Sequence, residues 1–301
     1  MTFAISSYYH FTKNKSIMQR DFSLGSQWLY YKIYTGVKTA DTILLEKLEP
    51  IIAHLEQKKK IQKWFFIRYH DPKEHIRLRF LVDDTDNLAI IINSFQSVFK
   101  ELMTENLVWK IQTDTYQREI ERYGKETMYA SEFLFWKDSK MILQYLSIKD
   151  SFSEKEMPLF FSFLAVDSFL NSFKLSSLEK LSLMSELQVA YKKEFEVDKV
   201  QKKQLDLKYR SLAPQIKQFL EGSIQNDFSE MYEVVNQKAD KIKKTALEIR
   251  TKIEIPLNDF LASHVHMMIN RQYTSKQRIY ELVIYDHLYR YYKTLSYTKQ
   301  H

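Results

Sequence analysis

Two hydrophobic periods divide the chain. Up to about residue 118, short runs that alternate apolar and polar residues are separated by helical stretches. Beyond that point apolar residues recur every three or four positions with little interruption. "SQWLYYKIYTG" alternates around Trp28, Tyr30, Lys32 and Tyr34 and predicts a strand ending at Gly36. "DTILLEKLEPIIAHLEQKKK" predicts a helix with Asp41 as its N-cap. "WFFIRYHDPKEHIRLRF", residues 64–80, predicts two strands joined at the turn dipeptide Asp71-Pro72. "DNLAIIINSFQSVFKELM" predicts a second helix and "LVWKIQTDTY" a further strand. Residues 1–19 are expected to form a tail or a leading strand.

After Glu119, "TMYASEFLFWKDSKMILQYL" and "EMPLFFSFLAVDSFLNSF" are apolar at helical spacing. "SSLEKLSLMSELQVAYKKEF" opens with Ser176 and Glu179 at the spacing of a capping box. Residues 229–253 predict a long polar helix stopped near Pro256, and two more helices finish the chain. The expected fold is α+β: a small, mostly antiparallel sheet in the N-terminal half and a nearly all-helical C-terminal half. A single domain is expected over 20–301, strand- and helix-containing over 20–118 and helical over 119–301.

Composition narrows this picture. Only 4 Gly and 5 Pro in 301 residues disfavour a many-turned β-sandwich. With no Cys, disulfides, thiolate metal sites and a cysteine nucleophile are excluded, and a reducing compartment is the simplest reading. No signal-peptide pattern opens the sequence and no apolar stretch is long enough to span a bilayer, so a cytoplasmic protein is expected. The net charge of +7 is spread over helical segments such as Lys58 to Lys60, which reads as solvated helix faces rather than a nucleic-acid groove.

Four stretches carry candidate chemistry. On a strand His75, Arg77 and Arg79 share one face, and Ile76, Leu78, Phe80 and Val82 the other. The apolar face belongs to a core. The basic face must meet water or an anion, because an unpaired buried guanidinium is costly. Protective charges on an edge strand are the simpler alternative, but arginine suits two-pronged contact with a carboxylate or phosphate. Whether Arg68 joins this face depends on the hairpin register. In "YQREIERYG", Glu119 and Arg122 are spaced as an ordinary intrahelical ion pair. Glu132 and Asp138 in "ASEFLFWKDS" read as caps or solvent-facing acids. In "SHVHMMINR", His264 and His266 point apart, which disfavours a shared metal. His266, Asn270 and Ser263 share a face. A satisfied core histidine is one reading; proton transfer near neutrality is the other. P-loop, dinucleotide, GxSxG and HExxH motifs do not occur.

Taken in order, "RDFSLGSQWLYYKIYTG", "WFFIRYHDPKEHIRLRF", "YQREIERYG", "ASEFLFWKDS" and "SHVHMMINR" resemble the C-terminal elimination domain of class I lanthipeptide dehydratases, also called the thiopeptide-type bacteriocin biosynthesis domain, from about residue 20 onward. The resemblance implies expulsion of glutamate from a glutamylated Ser or Thr of a precursor peptide, leaving dehydroalanine or dehydrobutyrine. It implies Arg77, Arg79, Arg122 and His266 as catalytic residues. Arg68, His75, Glu119 and Asn270 would bind or orient the substrate. Neither a metal nor an organic cofactor is implied. The partners implied are the glutamylated precursor peptide and a separate, tRNA-dependent glutamylating subunit. A cyclase and a second copy of the chain are further partners the family allows, and direct nucleic-acid binding is not expected. Lys125 stands where the family has a second glycine after "ERYG", and "NRQY" replaces the usual leucine after Asn-Arg. Two other readings accompany elimination: a [4+2] pyridine synthase that joins two dehydroalanines, and a non-catalytic peptide-binding or scaffold subunit. Convergence of Arg77, Arg79, Arg122 and His266 in one pocket is the discriminating observation.

Overall fold

The computed structural model describes residues 18–298, so most of the 1–19 segment lies outside the described residues. Strands β1 (Asp21–Phe22), β2 (Trp28–Thr35), β3 (Lys63–Tyr69), β4 (His75–Leu81), β5 (Val108–Thr113) and β6 (Tyr116–Gln117) form two antiparallel sheets. One pairs β1 with β6. The other has the order β3-β4-β2-β5. Between β2 and β3 the chain forms α1 (Ala40–Thr42), a π-helical stretch Ile43–Leu48, and α2 (Glu49–Gln57). Helix α3 (Asn87–Thr104) joins β4 to β5, and α4 (Ile120–Tyr123) is a single turn after β6. The remainder is helical: α5 (Met128–Ile148), α6 (Met157–Ser172), α7 (Ser177–Glu194), α8 (Lys199–Glu221), α9 (Ser229–Lys252), α10 (Leu257–Gln272) and α11 (Gln277–Thr298). This is the expected α+β architecture. Among the described residues no helix is long and apolar enough to cross a membrane.

The alternation in β2 and β4 decides which side of the larger sheet is buried. Tyr31 and Ile33 on β2 pair with Leu78 and Ile76 on β4, and all four are buried. Phe80, Phe95 and Phe99 pack edge-on against Tyr31 on that side, so α3 covers it. The opposite side carries Tyr30, Lys32 and Tyr34 beside Arg79, Arg77 and His75. The expected segregation of the basic and apolar faces of β4 is therefore present. Arg68 does not join the basic face. It lies opposite Ile76, on the other side, because the hairpin register puts even-numbered β3 residues with even-numbered β4 residues.

The outer edge of β3 is sealed by side chains. Ser139 of α5 accepts from the Phe66 amide at 3.2 Å. Asn270 of α10 accepts from the Arg68 amide at 2.9 Å and donates to the Arg68 carbonyl at 2.9 Å. One asparagine thus supplies the donor and acceptor of a further strand, and fixes α10 to the sheet.

Two local expectations change. Asp41 is not the N-cap: Thr39 occupies that position without a side-chain cap bond. The Asp41 carboxylate instead pairs with Arg68 and Lys149, each at 2.6 Å, because a buried guanidinium is a stronger partner than free helix amides. Glu132 and Asp138 are neither caps nor solvent-facing. Both are buried. Glu132 takes a two-pronged contact from Arg118 at 2.6 and 2.9 Å, and Asp138 pairs with Lys238 at 2.5 Å. The Ser176–Glu179 capping box forms as expected at the start of α7.

Candidate active site

A cleft with about 390 Å³ of empty volume opens where β3, β4, β6 and α10 meet. Its lining includes Phe65, Ile67, Arg79, Tyr116, Gln117, Glu119, Tyr123, Met267 and Arg271. Arg79 is part of that lining and is 8% exposed. The guanidinium sits 4.2 Å from the Tyr30 ring and 5.2 Å from those of Phe65 and Tyr116. No carboxylate or hydrogen-bond acceptor engages it among the described residues, and its Nε is buried without a partner. Burial pulls its pKa below the usual arginine value; the Tyr30 and Tyr116 phenols and Glu119 oppose this, while Arg77 adds to it. Three aromatic rings hold the cation but do not neutralise it.

Arg271 enters the same cleft from α10, at the position after Asn270. It is 1% exposed, donates to the Met267 carbonyl at 2.9 Å, and has only a distant carboxylate, Asp138, at 3.9 Å. Burial lowers its pKa, with Asp138 opposing and Arg79 contributing. Two buried, mutually repelling guanidinium groups in one small cleft are chemically suited to receive an anion.

Arg122 and Glu119 stand at the rim. They pair at 3.2 Å and both are exposed. Burial pushes the Tyr123 phenol up, Glu119 adds to this, and Arg122 and Arg271 oppose it, so Arg122 flanks the cleft through two of its lining residues. Gly124 lets the chain turn away after α4. Its φ is +74°, and a Cβ there would come within 2.6 Å of Thr127 Oγ1. Arg77 lies one β-residue pair from Arg79 on the same side of the sheet. Its guanidinium stacks 3.4 Å over the Tyr69 ring, and its Nε donates to His75 Nε2 at 3.0 Å. His75 Nδ1 in turn donates to the Lys73 carbonyl at 2.8 Å. A buried histidine thus orients Arg77, and burial is the main cause of its lowered pKa.

His266 does not line the cleft. It follows from α10 beside Met267, which does, and one helical step of about 100° turns it to the adjacent face. Its Nδ1 meets Glu281 Oε1 of α11 at 2.7 Å. Glu281 is fully buried and also accepts from Tyr191, Tyr285 and Arg278. A carboxylate on Nδ1 requires the proton there, so the lone pair of a neutral imidazole sits on Nε2. His264 faces elsewhere. It is buried against Ser131 at 3.3 Å, and burial, Arg271 and Lys238 hold its pKa well below the usual histidine range.

The four residues thus do not converge on a single lining, so the observation set out to favour an enzyme over a peptide-binding or scaffold subunit is not met. Arg79 is in the cleft, Arg77 and Arg122 border it, and His266 stands on the neighbouring helix face. Of the orienting set, Glu119 lines the cleft and His75 holds Arg77. Asn270 ties α10 to β3, and Arg68 is sealed in an ion pair with Asp41. Arg271, Tyr116, Tyr123 and Glu281 were not singled out by sequence reasoning. Arg271 was within reach, as the arginine that follows Asn270 in "SHVHMMINR"; Glu281, fifteen positions beyond His266, gave no local signal. Among the described residues no three His, Asp or Glu side chains gather to hold a metal.

The family model for the lantibiotic biosynthesis dehydratase C-terminal region matches residues 28–292. The chain belongs to this dehydratase C-terminal family. Within the family it is 30% identical over 232 residues to the nisin biosynthesis protein NisB of Lactococcus lactis subsp. lactis, covering 73% of this chain and 22% of that protein. The chain spans about a fifth of the length of the curated relatives it matches. Its fold resembles the tRNA-dependent lantibiotic dehydratase MibB from Microbispora sp. 107891, with a TM-score of 0.74 at 17% identity over 93% of this chain and 29% of that one. It also resembles TbtD, a pyridine synthase from thiomuracin biosynthesis, with a TM-score of 0.62 at 11% identity over 91% and 99%. At these identities the two likenesses concern the fold alone.

Proposed function

We propose that this dehydratase C-terminal family member eliminates glutamate from glutamylated Ser or Thr residues of a ribosomal precursor peptide. The observation that carries this reading is Arg79: a buried guanidinium without a carboxylate of its own, in a cleft shared with Arg271 and bordered by Arg77 and the Glu119–Arg122 pair.

In the proposed step, His266 Nε2 takes the proton from Cα of the acylated residue. The electron pair becomes the Cα=Cβ bond, the Cβ–O bond breaks, and glutamate leaves as a carboxylate. Glu281 is a positioning residue: it holds Nδ1–H, keeps the lone pair on Nε2 and stabilises the imidazolium that forms. Arg79 and Arg271 receive negative charge from the departing group, where low dielectric strengthens each contact. Arg77 and Arg122 guide a second carboxylate at the rim. The substrate lies across the α10 ridge, between the cleft and the His266 face. In this proposal a separate subunit loads glutamate onto the peptide from glutamyl-tRNA.

The test is mass spectrometry of a glutamylated Ser/Thr peptide incubated with the full chain. Loss of glutamate with formation of the dehydro residue is the expected result. Arg79→Ala and His266→Ala should fold and leave the glutamylated peptide intact. Full dehydration by either variant would sink the assignment. An untouched peptide with the wild-type chain, together with pyridine formation from a dehydroalanine-rich peptide, would replace elimination by the cycloaddition reading.

A further inference from the structure

The two edges of the larger sheet are treated differently. The β3 edge is closed by Ser139 and Asn270, whereas β5 is the last strand on the other side. The Asp114 amide donates to the Tyr30 carbonyl at 3.1 Å, and Tyr30 and Asp114 continue the register that pairs Lys32 with Gln112 and Tyr34 with Lys110. Bonding alternates along an antiparallel pair. Gln112 and Lys110 therefore turn their backbone groups toward β2, and Ile111 and Thr113 turn theirs outward. Among the described residues no backbone group outside β2 bonds to either of them.

The same strand carries ligand-like side-chain features. Trp109 is 46% exposed, and Lys110 lies 5.6 Å from the Tyr34 ring on the side of the sheet that holds Arg77 and Arg79. Lys32 on that side is neutralised by Asp114. Lys110 and Arg77 have no carboxylate partner among the described residues. A lysine and a bulge, such as the register shift at Tyr34/Thr35, are common ways to blunt an edge. An exposed tryptophan and an unpaired arginine two strands inward serve no such purpose.

We propose that the β5 edge takes up an extended, acidic stretch of the peptide substrate as a fifth strand, with its carboxylates toward Lys110. The identity of the peptide as substrate rests on the elimination reading; the edge and its charge preference do not. The placement is productive because β5 runs directly into β6, whose Tyr116 and Gln117 line the cleft. A strand added at β5 lies three strand spacings, about 14 Å, from β4, a reach of roughly four extended residues. A second copy fits less well. Pairing two β5 edges would bring two Lys110 side chains without carboxylate partners to one seam in a chain of net charge +7, and like charges across strands are unfavourable.

The experiment is fluorescence anisotropy of the full chain with three labelled decapeptides: alternating Glu/Val, the same peptide N-methylated at alternate residues, and alternating Lys/Val. The Glu/Val peptide should bind at least ten-fold more tightly than the other two. Lys110→Glu should weaken it by a similar factor, and the peptide should slow hydrogen exchange at Ile111 and Thr113. Equal binding of the methylated or the Lys/Val peptide would overturn the proposal. So would protection of those amides that rises with protein concentration in the absence of peptide, which would give the edge to a second copy. Binding is read without chemistry. A chain that binds Glu/Val peptide but releases no glutamate refutes the function and leaves the edge assignment standing. Equal KM for glutamylated peptides with and without the acidic extension refutes the extension and leaves the function standing.

Discussion

Replacing Arg79 by methionine should make the protein more stable and inactive. An unpaired buried ion retains an effective desolvation cost of several kcal/mol. The Tyr30, Phe65 and Tyr116 rings at 4.2, 5.2 and 5.2 Å return part of it, each contact contributing about 0.5–2 kcal/mol. Methionine has a similar length and fills the aromatic box without the charge, so the balance favours the variant by roughly 1–3 kcal/mol. At about 2 °C per kcal/mol for a chain of this size, its Tm should rise by about 2–6 °C. The paired measurement is thermal unfolding with and without free glutamate. A ligand at ten times its Kd stabilises by about 1.4 kcal/mol, which should raise the Tm of the wild type and not of Arg79→Met. A fall in Tm of more than about 2 °C on substitution would mean that the guanidinium is already neutralised within the fold. The cleft would then not be an anion receptor.

The remaining predictions concern the surroundings. Glu281→Gln should lower kcat by about 10²–10⁴-fold with little change in KM, because Nδ1–H loses its carboxylate. Glu281→Asp should restore part of it, whereas equal loss in KM and kcat would indicate a merely structural role. Glu132→Gln breaks the buried pair with Arg118 and should cost about 3 kcal/mol or more in urea unfolding; a cost under 1 kcal/mol would contradict burial of the pair. His264 is held neutral by burial and by Arg271 and Lys238, while the unfolded chain takes a proton there below about pH 6.5. Its contribution is therefore fully present above that pH and lost as pH falls, by at most about 1.4 kcal/mol per pH unit. Tm measured between pH 7 and 5.5 should fall less steeply in His264→Gln than in the wild type. Parallel slopes would refute the assignment.

The hydrophobic pattern made the strand half and the helical half legible, because period two and period 3.6 are local properties of the chain. It also revealed that His75, Arg77 and Arg79 share a side of β4. What it did not reveal depends on distant partners. Arg68 was ambiguous because register follows from the hairpin, and a one-residue change would have set it opposite His75 or Arg77 on the basic side. Asp41 resembled a cap until Arg68 and Lys149 reached it from 27 and 108 positions away. The "YQREIERYG" stretch drew attention to Glu119 and Arg122, yet its buried charged residue is Arg118, bound to Glu132 across a chain reversal. Arg271 and Glu281 acquire their meaning only when α10 docks on β3 and α11 folds back along it.

Asn270 leaves the sheet able to grow in one direction only. A surface with two open edges is a monomer for a filament: each added strand exposes another. Here one edge ends on an amide side chain that satisfies the β3 backbone as a capping unit satisfies a polymer end. Any strand that joins at β5 therefore terminates the assembly at once unless it brings a free edge of its own. Replacing Asn270 by alanine would free the Arg68 amide and carbonyl but leave the Phe66 amide on Ser139, so the second end would be reopened only in part.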